Sequence, residues 1–363
     1  MQNSYLKKIL LENFRNFTSK SFEFEGNKIL ITGPNGSGKT SILEAISLLS
    51  AGRGLRSEKP TNLIHHKANY LKVSYDLESF IGNIIVSIIL NEHKTKKNIL
   101  LNDKSIFSNE LARLTNIFWL TPQQNNLFCE SSSERRKFFD RIVFSFEENH
   151  AVLILKYEHY QKERIKLLQE LRPDEHWLDI LEDKLAKTAL EISKIRHQIL
   201  GLLNNIFDKM NIGLPRIVAR LCSKMDEIYE LSKESSDNFI ELFKKSIRSS
   251  RAIDSSQHKT NFGALKTDFM VKNEEKKLDA NFCSTGEQQS CMILILIAHT
   301  ELFVQVKQKQ PILLLDELFV HLDDHNKSIL SGFLNARTMQ TFVSTTEPEL
   351  CSDFYSHSSV IKL

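Results

Sequence analysis

The chain has 363 residues, of which 41% are apolar and 26% charged, with a formal net charge of only +3. That is enough to bury one large or two modest cores, too apolar for a disordered chain, and too near neutrality to attract nucleic acid through an overall positive field, so any such contact falls to local basic patches. Five cysteines with no C-x-x-C pair argue against a disulfide framework or a zinc site. No uninterrupted apolar run approaches the roughly 18 residues of a membrane span, and MQNSYLKKIL lacks a secretory core, so a soluble, cytoplasmic protein without membrane contact is expected.

Residues 1 to about 120 alternate short apolar strands, among them KILLENF, SFEFEG, KILIT, YLKVSYDL, NIIVSIIL and KNILLND, with one helix, the β-rich start of an α/β domain. Between two apolar runs lies Gly33-Pro34-Asn35-Gly36-Ser37-Gly38-Lys39-Thr40-Ser41, which fits G-x-x-x-x-G-K-[ST] with a strand before it and an amphipathic helix after it. Glycines without Cβ let consecutive backbone N–H groups converge on phosphate oxygens, and the helix adds its positive N-terminal dipole. Lys39 then reaches the outer phosphates and Thr40 offers a hydroxyl to Mg²⁺. An ordinary Pro/Asn/Gly turn is the alternative, and it accounts for neither the full spacing nor the flanks.

From Ser133 the texture changes. Leu178, Leu181, Leu185, Thr188, Ile192, Ile195, Ile199, Leu202 and Ile206 step by alternating three and four, and Leu153, Tyr157, Tyr160, Arg164, Leu167 and Leu171 do the same before RPDEHW. The pattern predicts a helical hairpin, a structural arm without chemistry of its own. KSIRSSRAIDSSQHKTN reads as a mobile linker or loop. The expected divisions are therefore 1–120, the first part of the nucleotide head; 121–255, the helical lobe; and 256–363, the second part of the head.

The last part returns to the nucleotide. PILLLDEL reads as a buried parallel strand ending in Asp316 and Glu317, and carboxylates at such a strand end face the crevice where ligands bind. Asp316 is placed to hold Mg²⁺ and Glu317 to orient or deprotonate the attacking water; two solvated surface acids are the plain alternative. Upstream, CSTGEQQ opens a long apolar helix. Ser284 and Glu287 fit a capping box, which leaves Gly286 unexplained. A second phosphate-binding turn is redundant within one subunit, but it has a purpose if two copies sandwich ATP between them.

In this order the phosphate loop, Ser284-Thr285-Gly286-Glu287, Asp316-Glu317 and His321-Leu322-Asp323 resemble the Walker A, signature, Walker B and D-loop elements of ABC-type ATPases, in the S-x-G-E form of the SMC branch. The short hairpin, with LENFRNF, GRGLRS, FWLTPQQNNLF, SSSERRKFFDRIV and GALKTDF, resembles the RecF family along nearly the whole chain. The resemblance implies an α/β ABC-type ATPase head, a mixed sheet with its phosphate loop, and an inserted helical, short coiled-coil lobe. It implies that Gly33, Pro34, Asn35, Gly36, Ser37, Gly38, Lys39, Thr40 and Ser41 bind ATP and Mg²⁺. Gln123 matches the Q-loop position that links γ-phosphate and metal to the helical lobe. Ser284 and Gly286 match the turn that meets the γ-phosphate of the opposite subunit. The resemblance also implies that Lys39, Asp316 and Glu317 carry catalysis, with Thr40, Asp316 and Gln123 at the metal, and Thr346 stands where transporters have a switch histidine. Val320, His321 and Leu265 depart from the family's usual residues.

The implied activity is a weak, DNA-stimulated ATPase that dimerises on ATP, binds duplex and single-stranded DNA near their junctions, and with RecR and RecO places RecA at gaps. The alternative is another SMC-like or ABC-type ATPase subunit that does not act on gapped DNA. For DNA the sequence offers Arg135, Arg136, Lys137 and Arg141, which a solvated helix face or intramolecular pairing explains equally well, and Arg53 and Arg56 just past the phosphate-loop helix.

Overall fold

The computed structural model describes residues 4–50, 52, 54–56, 58–79, 82–93 and 97–363. They form two compact units, one of Met1–Asn125, Ile212–Leu214 and Met292–Leu363, the other of Asn126–Asn211 and Pro215–Cys291.

The first unit contains two sheets. The antiparallel sheet has six strands in the order Phe17–Glu23, Tyr5–Phe14, Tyr70–Ser79, Gly82–Asn91, Asn98–Leu101 and Lys104–Ile106. Its strands alternate: Leu71, Val73, Tyr75 and Leu77 are buried while Tyr70 and Asp76 are exposed, the period of two expected of a sheet with one covered face. The second sheet is parallel, in the order Ser359–Lys362, Lys28–Thr32, Thr341–Thr345, Ile312–Asp316 and Ile117–Leu120. Every residue of its three central strands is buried, so burial runs unbroken along them rather than alternating; ILI and ILLL are apolar runs, and the buried polar residues lie toward the strand ends. One core joins the two sheets to the helix Lys39–Ser47 through Ile29, Ile31, Ile42, Leu43, Ile46, Leu314 and Phe342.

Strand order places the site. Thr345 pairs with Thr32 and Ser344 with Asp316, so three adjacent parallel strands end side by side at their C-terminal edges. The phosphate loop follows one of them and the acid pair ends another, which brings parts of the chain some 280 residues apart into one crevice.

In the second unit the predicted hairpin is present as helices Asn149–Leu168 and Glu175–Lys209. Asp174, from RPDEHW, caps the longer helix, its side chain accepting the Trp177 N–H at 3.0 Å. Leu178, Leu181, Leu185, Thr188, Ile192, Ile199 and Ile206 are buried on the predicted seam, whereas Leu171 lies past the end of its helix and is exposed. A three-stranded antiparallel sheet, Leu278–Asp279, Asp268–Asn273 and Ile217–Cys222, completes the unit.

KSIRSSRAIDSSQHKTN is not a linker. It forms the end of the helix Ser236–Ser249 and the helix Arg251–Gln257. Two of its charged residues are tied to the rest of the unit: the buried Asp254 accepts from Arg164 Nη1 at 2.8 Å, and the half-buried Arg251 reaches Glu182 and Asp179, while Lys245, Arg248 and Lys259 are exposed. Arg164 is wholly buried and also donates to Glu182 at 2.9 Å and to the Ile247 carbonyl at 2.8 Å. Helix Thr285–Lys307 is long and apolar enough to cross a membrane, averaging a hydropathy of 1.5 over 18 residues although no unbroken apolar run of that length exists. Because 72% of that window is buried inside the protein, it is a core helix.

Candidate nucleotide site

The loop after strand Lys28–Thr32 turns sharply at Gly38, whose φ of 105° belongs to glycine. A Cβ there would sit 2.6 Å from Phe17 Cζ and 3.0 Å from Asn16 Nδ2, so LENFRNF supplies the surface on which the loop is moulded. Lys39 opens the helix with its side chain curled back over the loop, Nζ donating to the carbonyls of Gly33 at 2.8 Å and Pro34 at 3.1 Å. The same ammonium lies 3.3 Å from Glu317 Oε1. Ser37 Oγ is buried without a hydrogen-bond partner among the described residues, a donor aimed into a loop whose chemistry suits an anion.

Across the loop, Thr40 Oγ1 donates to Asp316 Oδ1 at 3.0 Å and Ser344 Oγ donates to the same oxygen at 2.6 Å. Burial raises the Asp316 carboxyl above the usual range, the two hydroxyls work against that rise, and the charge of Glu317 adds to it. A buried carboxylate whose hydrogen-bond donors among the described residues are hydroxyls, one of them the threonine oxygen beside it, is a hard-oxygen donor set that fits Mg²⁺. Glu317 adopts a left-handed backbone (φ 46°), costly for a residue with a side chain, and its N–H donates to Ser344 Oγ at 3.0 Å. The strained turn holds the carboxylate over Lys39.

These groups line a cleft of about 750 Å³ whose other walls carry Arg15, Arg56, His65, His66 and Pro122. Lys39, Thr40, Asp316 and Glu317, four of the predicted residues, thus meet at one place, with Asn35, Gly36, Gly38 and Ser41 beside them. Gln123 follows Pro122 and its side chain is exposed; its neighbour Gln124 turns inward, Oε1 accepting the Thr121 N–H at 3.1 Å. In the second unit, the Ser284 N–H donates to Glu287 Oε2 at 2.9 Å, the return half of the capping box, and Lys276 pairs with Glu287 and lowers its carboxyl pKa. Ser284 and Thr285 are themselves exposed. Asp323, in the D-loop position, caps the helix Asp324–Asn335 by accepting the Asn326 N–H at 2.8 Å.

Of the basic residues, Arg53 lies outside the described residues, and Arg56 lines the cleft. Arg135 places its guanidinium on Asp268, Nε at 2.8 Å and Nη2 at 2.7 Å, with Nη1 on the Phe128 carbonyl at 3.1 Å. Arg136 is partly buried with Nη2 3.4 Å from Ser133 Oγ, Lys137 is exposed and pairs with Glu134, and Arg141 lies 5.3 Å over the Phe138 ring. Ser344, whose hydroxyl bonds both Asp316 and the Glu317 N–H, is a site residue the sequence reading missed. Its signal was present in FVSTTE, a buried strand ending in hydroxyls, but only the strand order shows that it neighbours Asp316.

The RecF/RecN/SMC N-terminal domain model matches residues 5–362. Among curated relatives, the DNA replication and repair protein RecF of Rickettsia prowazekii is 38% identical over 365 residues and that of Rickettsia conorii 37% over 363, each covering 100% of both chains. A solved structure of the recombination mediator protein RecF with ATPrS, from the RecFOR pathway, superposes with a TM-score of 0.86 at 25% identity, covering 100% of this chain and 97% of that one. An SMC head bound to the C-terminal winged-helix domain of ScpA shares the fold at a TM-score of 0.56 and 15% identity, covering 99% of this chain and 94% of that one. With the phosphate loop, the acid pair and the inserted helical hairpin in the family's order over its full length, the chain belongs to the RecF family.

Proposed function

We propose that this protein binds and hydrolyses ATP and uses the nucleotide to dimerise on DNA during replication and recombinational repair. The observation that carries the proposal is the convergence of Lys39, Thr40, Asp316 and Glu317 at the C-terminal ends of adjacent parallel strands. The phosphate loop cradles the phosphates, Lys39 neutralises the outer ones, and Glu317 orients and deprotonates the attacking water. Mg²⁺, held by Thr40 and Asp316 with Gln123 as a further ligand, would neutralise charge on the phosphates. The exposed turn at Ser284 and Gly286 addresses the nucleotide of a second copy, so that two composite sites close together.

The relatives' names place them in DNA replication and repair and, for the solved structure, in the RecFOR pathway. For this chain the reading is a cytoplasmic, weak, DNA-stimulated ATPase. It recognises single-strand/double-strand junctions and cooperates with RecO and RecR in delivering RecA. DNA contact falls to Arg56 and Arg136 rather than Arg135, whose donors are taken by Asp268. The test compares gapped with blunt duplex at equal phosphate concentration. Gapped DNA is expected to raise both ATP hydrolysis and ATP-dependent dimer formation; equal responses would favour an SMC-like ATPase that does not act on gaps.

A further inference from the structure

The cleft contains a charged element that the nucleotide chemistry does not use. Arg15, in the turn between strands Tyr5–Phe14 and Phe17–Glu23, has a left-handed backbone (φ 51°). It sends its guanidinium fork onto Glu44 of the phosphate-loop helix, Nε to Oε2 at 2.9 Å and Nη2 to Oε1 at 2.8 Å. Glu44 is 1% exposed, and a bidentate pair on a buried carboxylate fixes geometry as well as adding energy. The same guanidinium also holds a second segment: Nη1 donates to the Asn62 carbonyl at 3.0 Å and Nη2 lies 3.1 Å from Glu58 Oε1. The Arg15 backbone N–H donates to the Leu63 carbonyl at 2.8 Å. Two residues on, Phe17 fills the space beside Gly38. One short turn therefore grips the phosphate-loop helix at Gly38 and Glu44 and ties it to the segment Glu58–Leu63; Arg15, Gly38 and Asn62 all line the cleft.

We infer that Glu44 is a positioning residue, acting through Arg15 to fix the spacing between the phosphate loop and the Glu58–Leu63 segment, and hence the fit of the nucleotide. The inference rests on the nucleotide site proposed above. Its logic is that the fork cannot rotate without losing both oxygens of Glu44, so the width of the cleft is set by a rigid pair rather than by flexible loops.

The test is Glu44→Gln, which keeps size and one acceptor but removes the charge that holds the fork. Equilibrium binding of Mg-ATP is expected to weaken about tenfold, the scale of one lost charged hydrogen bond, with KM rising and kcat held, and a melting temperature near wild type. Were Arg15 a direct phosphate ligand that Glu44 merely neutralises, the substitution would free its charge and ATP would bind more tightly. Unchanged or tighter binding therefore overturns the inference, as does a loss of affinity that only tracks a loss of thermal stability. If Glu44→Gln does not fold, Arg15→Lys, which keeps the charge and loses the fork, is read by the same criteria. Lys39→Met is the control. If it binds ATP as the wild type does, the nucleotide site itself is wrong; if it fails to bind while Glu44→Gln binds normally, only the positioning role is lost.

Discussion

Lys39 and Glu317 are opposite charges 3.3 Å apart at the mouth of the cleft, the lysine buried and the glutamate 28% exposed, so solvent screens the pair and its own contribution to stability is small. Its value is geometric. The lysine proposed to meet phosphate and the carboxylate proposed to meet water are held in register by a backbone that glutamate does not favour. Glu317→Gln is expected to leave Mg-ATP binding intact and to slow hydrolysis by roughly two or more orders of magnitude, the range of a general base. Phosphate release beside an equilibrium binding curve measures both, and a wild-type rate would reduce Glu317 to a bystander. The sequence made this pair legible because each half sits in a contiguous pattern, a glycine-rich loop and a strand ending in acids. Ser344 and Glu44 were not legible, since each does its work on a residue supplied by a distant segment, and nothing local distinguishes them from an ordinary strand hydroxyl and an ordinary helix glutamate.

At the scale of elements, the helical unit is organised by charges that are buried rather than solvated. Asp140 accepts both Nε and Nη2 of the wholly buried Arg196 at 2.8 Å, and His150 Nε2 lies 2.9 Å away. Burial works to raise the Asp140 pKa, but Arg196 and His150 outweigh it and hold the carboxyl down to about 2. A carboxyl whose folded pKa lies below its unfolded value of about 3.9 contributes fully above that value and loses its contribution as pH falls through the folded one. Between pH 4 and 2 the unfolding free energy of the wild type, from urea titrations, is therefore expected to fall by about 2 kcal/mol more than that of Asp140→Asn. Parallel curves would remove Asp140 from the account. The hairpin was legible from its three-and-four spacing. The helices within KSIRSSRAIDSSQHKTN were not, because serine, arginine and aspartate read as linker until Arg164 and Glu182 are known to pair with them.

For the whole molecule, the order of the motifs along the chain was legible, and it carried the family; their meeting was not, because it depends on a strand order of 359–362, 28–32, 341–345, 312–316 and 117–120 that no local pattern encodes. The proposed machine is a dimer, and the turn at Ser284 is the part that tests it, since the capping box uses the Ser284 N–H and Glu287 but leaves the Ser284 and Thr285 side chains exposed. Its glutamate is pinned by Lys276 and by the Ser284 N–H, while its hydroxyls are exposed. Ser284→Arg fills the space in front of that turn and leaves the residues of the phosphate loop unaltered. The most direct measurement is sedimentation velocity of this variant and of the wild type with Mg-ATP and gapped DNA, beside their hydrolysis rates. The expected result is a wild-type dimer, and a variant that binds ATP yet stays monomeric and loses DNA-stimulated hydrolysis. ATP-induced dimers of Ser284→Arg with normal hydrolysis would contradict the account and leave the turn a helix cap.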